Sequence, residues 1–144
     1  MADCFTASER SRIMAAVRSR ENQATELRLI SLLRATGITG WRRRVKLIGS
    51  PDFVWRKQRF ALFVDGCFWH GCPRHGQIPA SRVEYWVPKL IRNKRRDREV
   101  TKALRKAGWS VLRVWECALT QRRSARTIAR IAAALQPAGD FSRR

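Results

Sequence analysis

One segment narrows what this chain can become: Val64-Asp65-Gly66-Cys67-Phe68-Trp69-His70-Gly71-Cys72-Pro73-Arg74-His75. Thiols, imidazoles, a carboxylate and large aromatics are interleaved with glycine and proline. No helical or strand period runs through it, so it reads as a loop held by something other than a backbone ladder. Cys117 returns far along the chain as a further ligand. Soft thiolates with an imidazole suit tetrahedral Zn²⁺ rather than Mg²⁺ or Ca²⁺. The expectation is a Cys3His structural zinc on Cys67, Cys72, His75 and Cys117, with His70 as the alternative imidazole and Cys4 a free thiol. The plainer alternative is three cysteines buried as small hydrophobes beside an unrelated histidine.

The charge balance says what such a knot is for. Lys plus Arg is 31 and Asp plus Glu is 11 in 144 residues, a formal net charge of +20. A small domain this basic has phosphate polyanions as its default partner. A membrane surface is the rival, but no apolar run reaches the roughly 18 residues of a span. The N-terminus lacks a basic-then-apolar leader, so a cytoplasmic chain with reduced cysteines is expected. With 44% hydrophobic residues the chain has the material for a core. A single domain over residues 1–136 with an N-terminal arm is expected, followed by a flexible basic tail at 137–144.

Pattern along the chain predicts the elements. Thr6 and Glu9 have capping-box spacing and open a short helix carrying Ile13, Met14 and Val17. A second helix is expected over about 22–36, stopped by Gly37, with Ala24, Leu27, Ile30 and Leu33 inward and Glu26 on the edge of that stripe. Trp41 to Leu47 reads as a strand. After the turn Gly49-Ser50-Pro51, the runs Pro51–Trp55 and Phe60–Val64 read as an antiparallel hairpin around a polar turn. Ser81 and Glu84 form another capping box, and Pro88 predicts a kink or a fresh helix start. The helix to Ala107 has Leu90, Asn93, Asp97, Val100 and Leu104 along its inward stripe, two of them polar. A strand Trp109–Trp115 delivers Glu116 and Cys117, and a last helix covers about 124–135. This order predicts an α/β fold with a sheet flanked by helices.

Several side chains suit phosphodiester chemistry. Asp52 at the start of one hairpin strand and acceptors at the end of its neighbour, Val64 and Asp65, would converge on one spot. Carboxylates and carbonyls there can hold Mg²⁺ against a phosphate. The competing reading makes Asp52 an ordinary turn residue. Glu26 and Asp97 add inward carboxylates. If His75 is on zinc, His70 is available for general acid or base work. Phe68, Trp69 and Trp86 are core residues by default, but adjacent aromatics in a clamped loop also suit wedges pushed between base steps.

Taken together, Gly49-Ser50-Pro51-Asp52-Phe53-Val54, Asp65-Gly66-Cys67-Phe68-Trp69-His70, Arg92-Asn93 with Asp97-Arg98, and Gly108-Trp109 with Val114-Trp115-Glu116-Cys117 resemble the very-short-patch repair (Vsr) DNA mismatch endonucleases. The likeness runs over about residues 8–120. It implies a restriction-endonuclease-like mixed central sheet flanked by helices, with a structural zinc. It also implies Mg²⁺-dependent nicking of one strand of double-stranded DNA, 5′ to the thymine of a T·G mismatch left by deamination of 5-methylcytosine. The resemblance makes Asp52 the metal-binding catalytic residue, with the Val64 carbonyl as the second protein position on Mg²⁺. It makes His70 the catalytic histidine, Asp97 its orienting partner and Glu26 the supporting acid. Phe68, Trp69 and Trp86 match the aromatics that intercalate beside the mismatch, Met14 contributes from the other groove, and Lys89 and Asn93 match positions that contact the mispair. Asp65 departs from the pattern, standing where the family has a second histidine, so metal binding and assistance to the phosphate are both open to it. Cys67 stands third in Asp65-Gly66-Cys67, where the acidic–x–Lys nuclease motif has lysine. A bacterial, nucleoid-associated monomer is implied, with mismatch-repair proteins as candidate partners. A same-fold nuclease of a restriction or defence system, and a non-catalytic zinc-bearing DNA-binding protein, are the alternatives.

Overall fold

The structure, a computed structural model, describes residues 6, 8, 9, 12, 25–67, 72–74 and 82–136. The hairpin forms as its pattern predicts. Strand β1 (Phe53–Trp55) pairs antiparallel with β2 (Phe60–Asp65), in the register Phe53 opposite Leu62 and Trp55 opposite Phe60. Both strands are aromatic and aliphatic on both faces, which is the composition of strands covered from two sides. Strand β3 (Ser110–Trp115) lies parallel to β2, from Phe60 opposite Ser110 to Asp65 opposite Trp115, so the sheet order is β1-β2-β3. A parallel pair needs a crossover, and the long helix α2 (Val83–Lys106) lies within it.

The helices divide between the two faces. Helix α1 (25–35) and helix α3 (Ser124–Leu135) cover one, where Leu29, Ile30, Leu33, Ile128 and Ile131 pack with Phe53, Trp55, Leu62 and Val114. Helix α2 covers the other, bringing Leu104 and Val100 onto Ala61 and Phe63. The chain is a mixed α/β domain of helices around a three-stranded mixed sheet. The Thr6–Glu9 capping box is present: the Thr6 N–H donates to Glu9 Oε2 at 2.8 Å, and the Glu9 N–H donates to Thr6 Oγ1 at 3.2 Å.

Four expectations change. Trp41 to Leu47 is not a strand; only Arg42 bridges to Val54, and Arg44 at φ 56° takes the chain out of extended geometry. Leu27 is 52% exposed, while the buried stripe of α1 is Leu29, Ile30 and Leu33. No fresh helix starts at Pro88: α2 is one helix running through it, because a proline so near the start interrupts few of the bonds in a long helix. Its N-cap is Arg82, at φ 65° and without a side-chain cap bond, while Ser81 of the expected capping box lies outside the described residues. No helix among the described residues is long and apolar enough to cross a membrane.

Candidate active site

The turn before β1 sets up the first carboxylate. Gly49 has φ 75°, and a Cβ there would run into the side chain of Val100, so both conformation and close approach call for glycine. From this turn the Asp52 N–H donates to the Leu62 carbonyl at 3.1 Å. The Asp52 Oδ2 accepts the Val64 N–H at 2.7 Å. The open end of the hairpin thereby sets the carboxyl of Asp52 beside the backbone of Val64.

Other carboxylates face the same spot. Glu26 of α1 is half-buried and ion-paired with Arg43. Asp65, at the end of β2, is buried. Burial above all pushes the Asp52 carboxyl up to about 7; the Val64 N–H opposes that, and Glu26 and Asp65 add to it. Among the described residues no basic side chain pairs with Asp52. A half-buried carboxylate with two further carboxylates beside it is a set of hard oxygen donors that fits a hard divalent cation.

Asp65 is held by Arg113, whose Nη1 donates to Oδ1 at 3.0 Å and Oδ2 at 3.3 Å. The same Nη1 lies 3.7 Å from Asp97 Oδ1 on α2. Behind this group, Asp65, Asp97, Arg113, Lys94, Arg98 and Trp115 line a cleft of about 440 Å³. Sequence reasoning passed over Arg113. The signal was a lone guanidinium amid apolar strand residues, Val111-Leu112-Arg113-Val114, where an unpaired charge is costly.

The thiols form a second centre. The sulfurs of Cys67, Cys72 and Cys117 lie within 4.8 Å of one another, with Cys72 and Cys117 at 3.8 Å. Thiolates at about 2.3 Å from one tetrahedral zinc stand roughly 3.8 Å apart, so the spacing fits such an ion. Burial first, and then the neighbouring thiols against a backbone bond, hold the Cys67 thiol up at about 12. Glu116 braces the turn, accepting the Cys67 N–H at 3.0 Å and the Thr25 hydroxyl at 3.4 Å. Arg123 reaches Cys117 Sγ at 3.2 Å. Neither Glu116 nor Arg123 was singled out as a site residue from sequence.

Of the remaining site residues, His70, His75, Phe68, Trp69 and Met14 lie outside the described residues. Trp86 is buried, edge-on to the exposed Tyr85 at a centroid distance of 5.0 Å. Lys89 Nζ sits 5.5 Å from the Tyr85 ring and 5.8 Å from the Trp86 ring. Asn93 is buried one turn further along.

A family model for the DNA mismatch endonuclease Vsr matches residues 2–75. The chain belongs to the Vsr family. It is 41% identical to the DNA mismatch endonuclease Vsr of Escherichia coli (strain K12), over 85% of this chain and 78% of that protein. It is 43% identical to the type II nicking enzyme V.XorIIP of Xanthomonas oryzae pv. oryzae, over 83% of this chain and 88% of the relative. A third match, at 55% identity to the type II nicking enzyme V.NaeI of Lentzea aerocolonigenes, spans 46% of this chain and only 40% of the relative's length. Membership of the Vsr family makes the chain an endodeoxyribonuclease.

Proposed function

We propose that this Vsr-family enzyme nicks one strand of double-stranded DNA 5′ to the thymine of a T·G mismatch, in an Mg²⁺-dependent reaction on a restriction-endonuclease-like fold. The observation that carries the reading is Asp52: half-buried, without a cation among the described residues, and set against the Val64 backbone. Asp52 and the Val64 carbonyl hold the Mg²⁺, with Glu26 in support. The ion, when bound, supplies positive charge to the scissile phosphate. His70 accepts the proton of the attacking water, and Asp97 orients His70. The broken bond is a phosphodiester P–O bond: the water oxygen ends on phosphorus, and the departing sugar oxygen takes up a proton from water and leaves as a hydroxyl.

In the same reading, zinc is held by Cys67, Cys72 and Cys117 with His75, and it keeps the wedge loop in place. Phe68, Trp69 and Trp86 enter the base stack from one side and Met14 from the other. Unstacking costs least at a mispair, and that difference is a source of selectivity. Trp86 has to turn out from its place beside Tyr85 to do so. Lys89 and Asn93 contact the mismatched pair. Residues 1–136 act as one nuclease domain, with 137–144 a basic tail.

The deciding assay is nicking of end-labelled duplexes carrying T·G, other mismatches or full pairing, with and without Mg²⁺. The expected outcome is a nick only in the T·G duplex, only with Mg²⁺, and lost in Asp52→Asn while DNA binding persists. Nicking by metal-replete Asp52→Asn removes the site assignment. Cleavage of the fully paired duplex favours the second reading, a nuclease serving a restriction or defence system.

A further inference from the structure

The carboxylates that meet at the hairpin end are not equally placed to take a cation. Glu26 is paired with Arg43. Asp65 is only 7% exposed, and both of its oxygens accept from Arg113 Nη1. Arg113 is itself pinned from several sides. Its Nε donates to Thr101 Oγ1 at 2.9 Å and its Nη2 to the Asp97 carbonyl at 3.3 Å. Its guanidinium carbon lies 4.1 Å from the centroid of the Phe63 ring. Thr101 in turn donates to the Asp97 carbonyl at 2.9 Å. Strand β3 and helix α2 thus fix a positive charge beside the Asp65 carboxylate, and turning it away would break all of these contacts together.

A divalent ion coordinates a carboxylate oxygen at roughly 2.0–2.1 Å when it is Mg²⁺. An oxygen already bonded to a fixed guanidinium meets such an ion with charge repulsion and with fewer lone pairs to give. We propose that Arg113 is a positioning residue that withholds Asp65 and Asp97 from the divalent ion, leaving Asp52 as the carboxylate that takes it. This deepens the proposed Mg²⁺ site and rests on it. It also gives Asp65 a definite role, as the partner of Arg113 rather than a second ligand.

The test is Mn²⁺ uptake by the zinc-replete full chain without DNA, followed by electron paramagnetic resonance of the free ion. Asp65→Asn is expected to leave Mn²⁺ affinity within about threefold of the wild type, because the carboxylate it removes is not a ligand. Arg113→Met is expected to tighten uptake by roughly tenfold or to add a further equivalent, and combining it with Asp65→Asn is expected to reverse most of that gain. Should Arg113→Met fail to fold, Arg113→Lys takes its place, since an ammonium cannot serve Asp65, Thr101 and Asp97 at once, and a gain of the same sign is expected. A loss of roughly tenfold or more in Asp65→Asn makes Asp65 a ligand and overturns the proposal. A folded Arg113 variant with an unchanged isotherm overturns it as well. If the wild type takes up no Mn²⁺ while the Arg113 variant does, the withholding stands and the Asp52 ion site falls. If neither takes it up, both fall.

Discussion

Burial does more than any neighbouring charge to hold the Asp52 carboxyl up at about 7, against an ordinary value of 3.8. A folded-state value above the unfolded one means that the folded chain binds the proton more tightly. The stability contributed by that proton is fully present below about pH 3.8 and is lost as the pH rises through about 7. Metal-free protein should therefore lose stability across that window, and Asp52→Asn should abolish this part of the loss. The expected result is a higher melting midpoint for the metal-free Asp52→Asn protein at pH 8, corresponding to a stability gain of about a few kcal/mol at most, with the gain gone near pH 4. Melting curves of both proteins across pH check this. Mg²⁺ should narrow the difference at pH 8, because the ion replaces the proton on Asp52. The function proposed for this residue is thus bound to a stability cost, which a bound divalent ion would offset.

Strands and turns deliver these side chains, and the weak points lie where an element has no slack. Gly49 is such a point, with φ 75° and the Val100 side chain of α2 occupying the place of a Cβ. Gly49→Ala should destabilise the fold by roughly 1–3 kcal/mol, seen as a lower denaturant midpoint at unchanged slope. Nicking should fall as well, since the turn sets Asp52. The end of β2 and the 3₁₀ turn Glu116–Leu119 after β3 come together at the thiols of Cys67, Cys72 and Cys117, where the proposed zinc would link them. Cys117→Ser should release zinc, read by elemental analysis, and lower the melting midpoint. Unchanged zinc content would remove Cys117 from the ligand set. Glu116 links the same turn to Thr25, next to Glu26, so loss of zinc should also reach the acidic edge of α1.

At the scale of the molecule, a net charge of +20 in 144 residues makes DNA affinity an ionic-strength measurement. If the basic surface neutralises about 6–10 phosphates, affinity should fall by roughly 10³–10⁵ between about 50 and 200 mM salt. Titrations at several salt concentrations give the slope directly. Matched and mismatched duplexes should share it, because phosphate contacts carry no base information. A difference between them that persists at high salt measures the part contributed by the wedge and mispair contacts proposed above. A slope near zero would mean that the surplus charge is a solvated face with no role in binding.

The sequence by itself determined the hairpin, the buried central strand, the inward polar stripe of α2 and the bounds of α3. Each of these is written in short-range periodicity, and periodicity states which face of an element is apolar. It also marked Asp52, Glu26 and Asp97 as inward carboxylates, and it marked the cysteines that the fold gathers. The tertiary structure decided how the charges are shared out. Arg113 and Asp65 stand on neighbouring parallel strands, 48 residues apart in the chain, and no local pattern says that one will neutralise the other. It also decided that Trp41 to Leu47 makes a bridge rather than a strand, since a ladder needs a partner along its length and only Val54 is there to supply one. A side chain's place on a face follows from the backbone repeat. Its electrostatic partner follows from which elements cross, and only the assembled fold brings Asp65 to Arg113.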